Sequence, residues 1–202
     1  MTSNTKRSRG RGTQQALVDA AIKLMEDRGY HETSVEDIVS ALDVTKPTFY
    51  YYYDSKLELL AEILEVSVTR VEQALHNAEA TDTSPQQRLA ALIRAFALEV
   101  MDRPDLLTVY FNERDRLPPE VVATLTGRER EVVSIFEEAI RRTQADIDPS
   151  IDPSVAAMAV VGMVSWAHRW YQPEGPLPPE VIADAFAEIV CRGVFSRKED
   201  EP

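Results

Sequence analysis

Few residues in this chain have the types and spacing that covalent chemistry requires. The three histidines, His31, His76 and His168, lie far apart, and none sits in an H-E-x-x-H or C-x-x-C setting. There is no G-x-S-x-G and no phosphate-binding glycine loop. The acids are scattered among Lys and Arg at i, i+4 intervals, the pattern of solvated helix faces. The expectation is a protein that is not an enzyme and carries no cofactor and no metal. Recognition chemistry is better represented. Between residues 45 and 52, Thr45, Lys46, Pro47, Thr48, Tyr50, Tyr51 and Tyr52 bring together hydroxyls, one cation and aromatic edges. Such a surface donates to phosphates and lies against thymine methyls. The same spacing also fits a small capped helix with an aromatic core side, and spacing alone leaves both readings open.

The elements that must position these residues are short. Val35, Ile38, Val39 and Leu42 follow i, i+3, i+4, i+7 spacing, which predicts a helix over 34–42. Thr33 is its candidate N-cap, with Glu36 three residues on to complete a capping box. A second helix is expected over 46–53, capped by Thr45, with Pro47 in the first turn where its missing N–H costs nothing. Residues 41–44 make the turn. Phe49 and Tyr53 are four apart and can face inward together. Tyr50, Tyr51 and Tyr52 are consecutive and cannot all do so. This is the layout of a helix-turn-helix, whose second helix lies in the DNA major groove.

The chain has 202 residues, 44% of them hydrophobic, and only 7 glycines. A packed core is expected. Apolar residues recur with a helical period throughout, and no alternating strand-like run stands out, so the fold class is all-α. The formal net charge of −12 argues against a nucleic-acid partner until its distribution is considered. Residues 1–60 carry eight Lys/Arg against nine Asp/Glu, and the remainder carries 14 against 25. Residues 1–12 hold Lys6, Arg7, Arg9 and Arg11 and no acid. A near-neutral head with a cationic arm and an acidic body suppresses non-specific sticking and turns the head toward phosphates. Single Cys191 has no internal disulfide partner, which predicts a reducing, cytoplasmic setting. No apolar stretch follows the charged start as a signal peptide would require. The apolar run from Val155 to Val164 is well short of the roughly 18–20 residues of a membrane span.

Organisation along the chain follows from helix punctuation. Residues 1–12 read as a disordered basic arm and 13–28 as the first helix, ended by Gly29. Residues 13–56 form the helix-turn-helix domain and 57–202 the body. Helices are expected over 55–78, from Ser84-Pro85 to Met101 with Gln87 closing a capping box, over 105–114, from Glu120 to Gln144, over 153–172 and over 179–196. Loops fall at 80–83 and 147–153, a rigid turn at Gln172–Pro178, and a charged tail at 197–202. The helix at 153–172 is apolar nearly all round, and that at 179–196 has a wide apolar stripe.

Taken together, residues 33–60 resemble the DNA-binding signature of the TetR family of one-component transcriptional repressors. The matching positions are Thr33, Asp37-Ile38-Val39, Val44-Thr45-Lys46-Pro47-Thr48-Phe49-Tyr50, Tyr52-Tyr53, Ser55-Lys56 and Leu59-Leu60. Three positions depart from the pattern. Asp43 stands where a turn glycine is usual, and Asp tolerates the left-handed conformation. Tyr53 replaces a phenylalanine and needs a partner for its hydroxyl if buried. Val39 replaces an alanine.

The resemblance implies a nine-helix fold: a three-helix head that contacts double-stranded operator DNA through Thr33, Thr45, Lys46, Pro47, Thr48, Tyr50, Tyr51, Tyr52 and Lys56, and a ligand-binding and dimerisation body. Lys56, at the start of the fourth helix, is expected on a phosphate. It implies a homodimer formed through helices 153–172 and 179–196 as a four-helix bundle, presenting two heads to a palindrome. Filling a cavity in the body shifts the spacing of the heads and releases DNA. Two segments, Gly162–Leu177 and Leu107–Pro118, resemble a sub-group controlling fatty-acid and steroid catabolism in response to acyl-CoA thioesters. Met101, Leu107, Phe111, Met163, Trp166 and Trp170 would line the acyl slot, with Arg114 and Arg169 on phosphates and Arg128, Arg141 or Arg142 as further candidates. Trp166 and Trp170 fit a core helix face equally well. The alternatives are a TetR-like repressor of an efflux pump that senses a hydrophobic drug-like compound, and a helical ligand-binding protein without DNA function.

Overall fold

The computed structural model describes residues 3–79, 84–143 and 151–194. Among these residues there are nine α-helices, two 3-10 turns and no strand. The helices are α1 (Ser3–Glu32), α2 (Val35–Ala41), α3 (Lys46–Tyr52), α4 (Lys56–Glu79), α5 (Pro85–Asp102), α6 (Pro104–Glu113), α7 (Pro119–Arg141), α8 (Pro153–Ser165) and α9 (Pro179–Val194). The 3-10 turns are Arg114–Arg116 and Trp166–Arg169. The all-α expectation holds. The Ser84–Gln87 capping box forms as expected, with Gln87 N–H on the Ser84 hydroxyl at 3.2 Å.

Three boundaries differ from the sequence reading, each for a local reason. Helix α1 runs upstream to Ser3, so residues 3–12 continue the helix where a disordered arm was expected. They contain no proline, and extending an existing helix is far easier than nucleating one. The first two residues of that arm lie outside the described residues. The capping box of α2 is shifted by one. Ser34, not Thr33, is the N-cap, and Asp37, not Glu36, reaches back to it. Finally, the helix expected over 153–172 leaves α geometry at Ser165. His168 Nδ1–H donates to the Ser165 carbonyl at 2.6 Å, taking an acceptor that a continuing α-helix would use. The loop at 80–83, residues 147–150, Gln144 and the chain beyond residue 194 lie outside the described residues.

The chain forms two compact units. One holds the chain up to Ser67 together with Asp105–Ala123; the other holds Val68–Pro104 and the chain from Thr124 onward. The first is larger than the 13–56 domain read from sequence. In it, Leu17, Ile22, Ile38, Phe49, Leu59, Leu60, Ile63 and Leu64 are fully buried. Each such side chain contributes about 1.5–3 kcal/mol of apolar transfer. In the second unit, α5 lies along α9 and touches α8, with Leu89, Leu92, Ile93, Phe136, Ala157 and Val164 buried. No helix among the described residues is long and apolar enough to cross a membrane. No group of three His, Cys, Asp or Glu residues there could hold a metal ion.

Candidate nucleic-acid interface

The turn between α2 and α3 is built by one left-handed residue. Asp43 has φ +52°, and the N–H groups of Asp43 and Val44 fold back onto the carbonyls of Ser40 and Val39. Asp is among the few side chains that tolerate this conformation, which explains how the turn forms without glycine. On its upstream side, Asp37 accepts from the Ser34 backbone N–H at 2.8 Å and from the Ser34 hydroxyl at 2.5 Å. Those bonds, with Arg28 at 3.2 Å, hold the Asp37 carboxyl below the usual carboxylate range.

Helix α3 divides its aromatic residues as the spacing predicts. Phe49 and Tyr53 are buried, and their ring centroids lie 5.6 Å apart. Tyr50 is 53% exposed and Tyr51 80% exposed, while Tyr52 is half-buried against Tyr51. Thr45, Lys46 and Pro47 are exposed beside them, and Thr48 is half-buried, its hydroxyl 3.3 Å from that of Thr45. Lys46 Nζ meets Glu36 Oε2 at 2.5 Å, with both side chains more than half exposed. The Glu36 carboxylate beside it holds the Lys46 amine above its ordinary range, and Tyr50 adds to this. Lys46 is therefore charged wherever DNA would be met.

Two of the expected contact residues face elsewhere. Thr33 is fully buried, and its hydroxyl donates to the Gly29 carbonyl at 2.9 Å. Lys56 turns inward, where its amine donates to the Tyr30 carbonyl at 2.6 Å and the Thr33 carbonyl at 2.5 Å and sits 4.0 Å from the centre of the Tyr30 ring. Burial pulls the Lys56 amine below its ordinary range, with Glu113 acting the other way. The corner between α1 and α2 needs these bonds because Gly29, at φ +83° and ψ +166°, breaks the helix ladder. A residue with a side chain resists that backbone conformation.

Glu113 completes the corner, and sequence reasoning missed it. This carboxylate is 4% exposed. It accepts the Tyr30 backbone N–H at 3.0 Å and pairs with Arg116, which also reaches His31. The only signal in the sequence was a break at Leu117-Pro118-Pro119, which turns the chain after Glu113. No local pattern distinguishes this glutamate from those on solvated faces.

The expected effector residues do not gather within either unit. Leu107, Phe111 and Arg114 belong to the first unit; Met101, Met163, Trp166, Arg169 and Trp170 belong to the second. Met101 and Leu107 are buried, Met163 is half-buried, and Phe111, Trp166 and Trp170 are exposed. Arg114 lies over the Tyr110 ring at 5.9 Å and Arg169 over the Trp166 ring at 5.8 Å. Arg128 is held by Glu72 and by the Thr69 hydroxyl at 2.8 Å, and Arg141 by Glu137 at 2.5 Å. Arg142 pairs with Glu138 at 2.9 Å and borders an open groove of about 190 Å³, with Arg88, Ser134, Ile135 and Ala139. None of the eight expected ligand residues lines that groove. The second unit instead exposes apolar side chains in series: Val155 and Met158 on α8, Trp166 just beyond it, and Val181 and Ile189 on α9.

Known proteins agree with this geometry. Residues 17–63 match the family of bacterial regulatory proteins described as tetR, and residues 82–194 match a tetracyclin repressor-like C-terminal domain. The chain is 25% identical over 194 residues to the HTH-type transcriptional repressor KstR2 of Mycolicibacterium smegmatis, covering 92% of each chain. It is 25% identical over 182 residues to the HTH-type transcriptional activator FasR of the same organism, covering 88% of this chain and 81% of that one. Among solved structures, AibR in complex with isovaleryl coenzyme A and operator DNA superposes with a TM-score of 0.76. That match is at 30% identity and covers 87% of this chain and 96% of AibR.

Proposed function

We propose, from the premise that the chain belongs to the tetR family of bacterial regulatory proteins, that it is a repressor. It binds a palindromic operator as a homodimer and is released by an acyl-CoA thioester. The observation that carries the DNA-binding reading is the exposed surface of α3. Thr45, Lys46, Pro47, Tyr50 and Tyr51 are exposed there and Thr48 and Tyr52 half-buried beside them, while Phe49 and Tyr53 anchor the helix behind them. Tyr50 and the two threonines donate to phosphates, and Tyr51 lies against base edges. Thr33 and Lys56 leave the contact set and hold the corner on which α2 and α3 stand.

The dimer reading is supported by the exposed apolar series on α8 and α9. Val155, Met158, Val181 and Ile189 are each at least half exposed on helices whose other faces are buried. A second copy related by two-fold symmetry would cover them as a four-helix bundle. Trp166, 61% exposed next to α8, fits that surface better than a ligand slot. The effector reading is supported by the likeness to AibR, solved with isovaleryl coenzyme A, and by the resemblance of Gly162–Leu177 to acyl-CoA-responsive regulators.

An electrophoretic shift titration on the DNA flanking the protein's own gene tests all three parts. A retarded dimer complex that weakens steeply with salt is expected, with release by isovaleryl-CoA or a longer acyl-CoA at concentrations where free CoA and free acid do nothing. Release by no acyl-CoA would remove the effector class and leave a hydrophobic drug-like compound in its place. A reporter assay fixes the sign of regulation, since FasR, equally similar in sequence, is an activator.

A further inference from the structure

The Lys46–Glu36 pair does little for the fold. Both side chains are more than half exposed, and a surface ion pair of this kind adds between nothing and about 1 kcal/mol. Each residue also has a distinct position. Lys46 is the one Lys or Arg between residues 33 and 55, so α2, α3 and their turn have no other cation. Asp37, next to Glu36, is occupied by Ser34 and Arg28, whereas Glu36 has Lys46 as the one salt-bridge partner shown for it among the described residues. The pair lies alongside Tyr50, which is itself exposed. A donor and an acceptor are thus held 2.5 Å apart on the surface proposed to enter the groove.

In the major groove a G·C pair shows guanine O6 and N7 as acceptors and cytosine N4 as a donor side by side. Lysine matches the guanine edge and glutamate the cytosine edge. We infer that Lys46 and Glu36 act together as the reader of one G·C base pair in each operator half-site, Lys46 donating to guanine and Glu36 accepting from the cytosine amino group. This rests on the DNA-binding reading above. Before DNA arrives the two side chains satisfy each other; on the right base pair both exchange that bond for one to a base. On an A·T pair the adenine amino group and thymine O4 present the opposite arrangement, and Glu36 is left against an acceptor.

The test is a shift assay on an operator fragment and on variants with each base pair of a half-site replaced in turn. It uses the full-length wild type and the variants E36Q, K46M and the charge-swapped E36K/K46E. In wild type, one G·C to A·T replacement should cost roughly ten-fold or more in affinity, the range of a good side-chain-to-base contact. K46M should bind the two sequences within about two-fold of each other, E36K/K46E, with donor and acceptor exchanged, should prefer the A·T sequence, and E36Q should lose part of the discrimination. The swapped variant keeps an ion pair between α2 and α3, so a purely structural role predicts wild-type discrimination. That result would overturn the inference, as would an E36Q variant whose affinity rises equally on every sequence through lost phosphate repulsion. If wild type prefers no sequence at all, the DNA-binding reading itself fails, an outcome distinct from either.

Discussion

Lys46 and Lys56 are ten residues apart, sit at the start of successive helices, and belong to the same sequence signature, yet the structure uses them in opposite ways. Lys46 projects from α3 into solvent and holds an equally exposed carboxylate. Lys56 folds back under α4 and places its amine on two carbonyls and over the face of Tyr30. The first arrangement is exchangeable, because water or a base edge can replace Glu36 at little cost. The second is not. Removing Lys56 leaves two carbonyls of the α1–α2 corner without their cation. On the proposed reading, DNA contact and support of the fold are divided between the two ends of the motif, with Lys56 holding the corner from which α2 starts.

The sharpest way to break this comparison is at Glu113, the acid of the holding corner. Replacing Glu113 with Ala strips a buried acceptor from the Tyr30 N–H, removes the carboxylate paired with Arg116 and takes away the largest of the acidic neighbours of Lys56. A loss of about 3 kcal/mol is expected, from a buried N–H left without its acceptor together with the loss of an ion pair whose carboxylate is buried. Urea unfolding followed by circular dichroism measures it. A loss below about 1 kcal/mol would mean the corner holds itself by packing alone. Lys56→Met comes next, at about 2 kcal/mol, since an apolar side chain fills the space but donates nothing to the two carbonyls. Lys46→Met in the same experiment should change stability by no more than about 0.5 kcal/mol. If the two methionine variants are equally stable, the division between reading and holding is wrong.

Much of the layout of α2 and α3 could be read from sequence, whereas the inward turn of Thr33 and Lys56 could not, for a physical reason. The helix-turn-helix was legible because its signals are local: apolar spacing within ten residues, a proline in a first turn, and an Asp in place of a turn glycine. The inward turn of Phe49 and Tyr53 followed from the helical period in the same way. The types of Thr33 and Lys56 suit phosphate, while in the structure both bond to backbone carbonyls around the break at Gly29. Those carbonyls are open to side-chain donors because of the backbone conformation at Gly29, which leaves no mark on residues 33 or 56. Glu113 was invisible for a stronger reason: its partner Tyr30 is 83 positions away. The shift of the α2 capping box from Thr33/Glu36 to Ser34/Asp37 shows the limit even of local signals, since both pairs have the right spacing and only the burial of Thr33 decides between them.

On the reading side, Tyr50→Phe separates affinity from stability. The hydroxyl belongs to a side chain 53% exposed, so stability should be unchanged within about 0.5 kcal/mol. Loss of one hydrogen bond to a phosphate should weaken operator binding by about 1 kcal/mol, roughly five-fold, measured by shift titration at fixed salt. An unchanged affinity would move the phosphate contact from Tyr50 to the neighbouring threonines.

One small effect lies on the boundary between the two regions, at Tyr53. Its ring is buried beside Phe49, and its hydroxyl is enclosed near Gln14 and Glu62, which bond to each other at 3.2 Å; among the described residues no acceptor meets the hydroxyl at hydrogen-bonding geometry. Burial, reinforced by Glu62 and opposed by Gln14, raises this phenol above its ordinary range, so it stays protonated. An enclosed O–H without an acceptor is a standing cost, and Tyr53→Phe removes it while keeping the ring. The variant should be as stable as wild type or more stable by up to about 1 kcal/mol, with operator affinity unchanged, as urea unfolding and shift titration would show. A loss of more than about 1 kcal/mol would instead mean that the hydroxyl is bonded to the Gln14–Glu62 pair in solution. In that case the underside of α3 is polar and held by α1 and α4, and the line between reading and holding runs through Tyr53 itself.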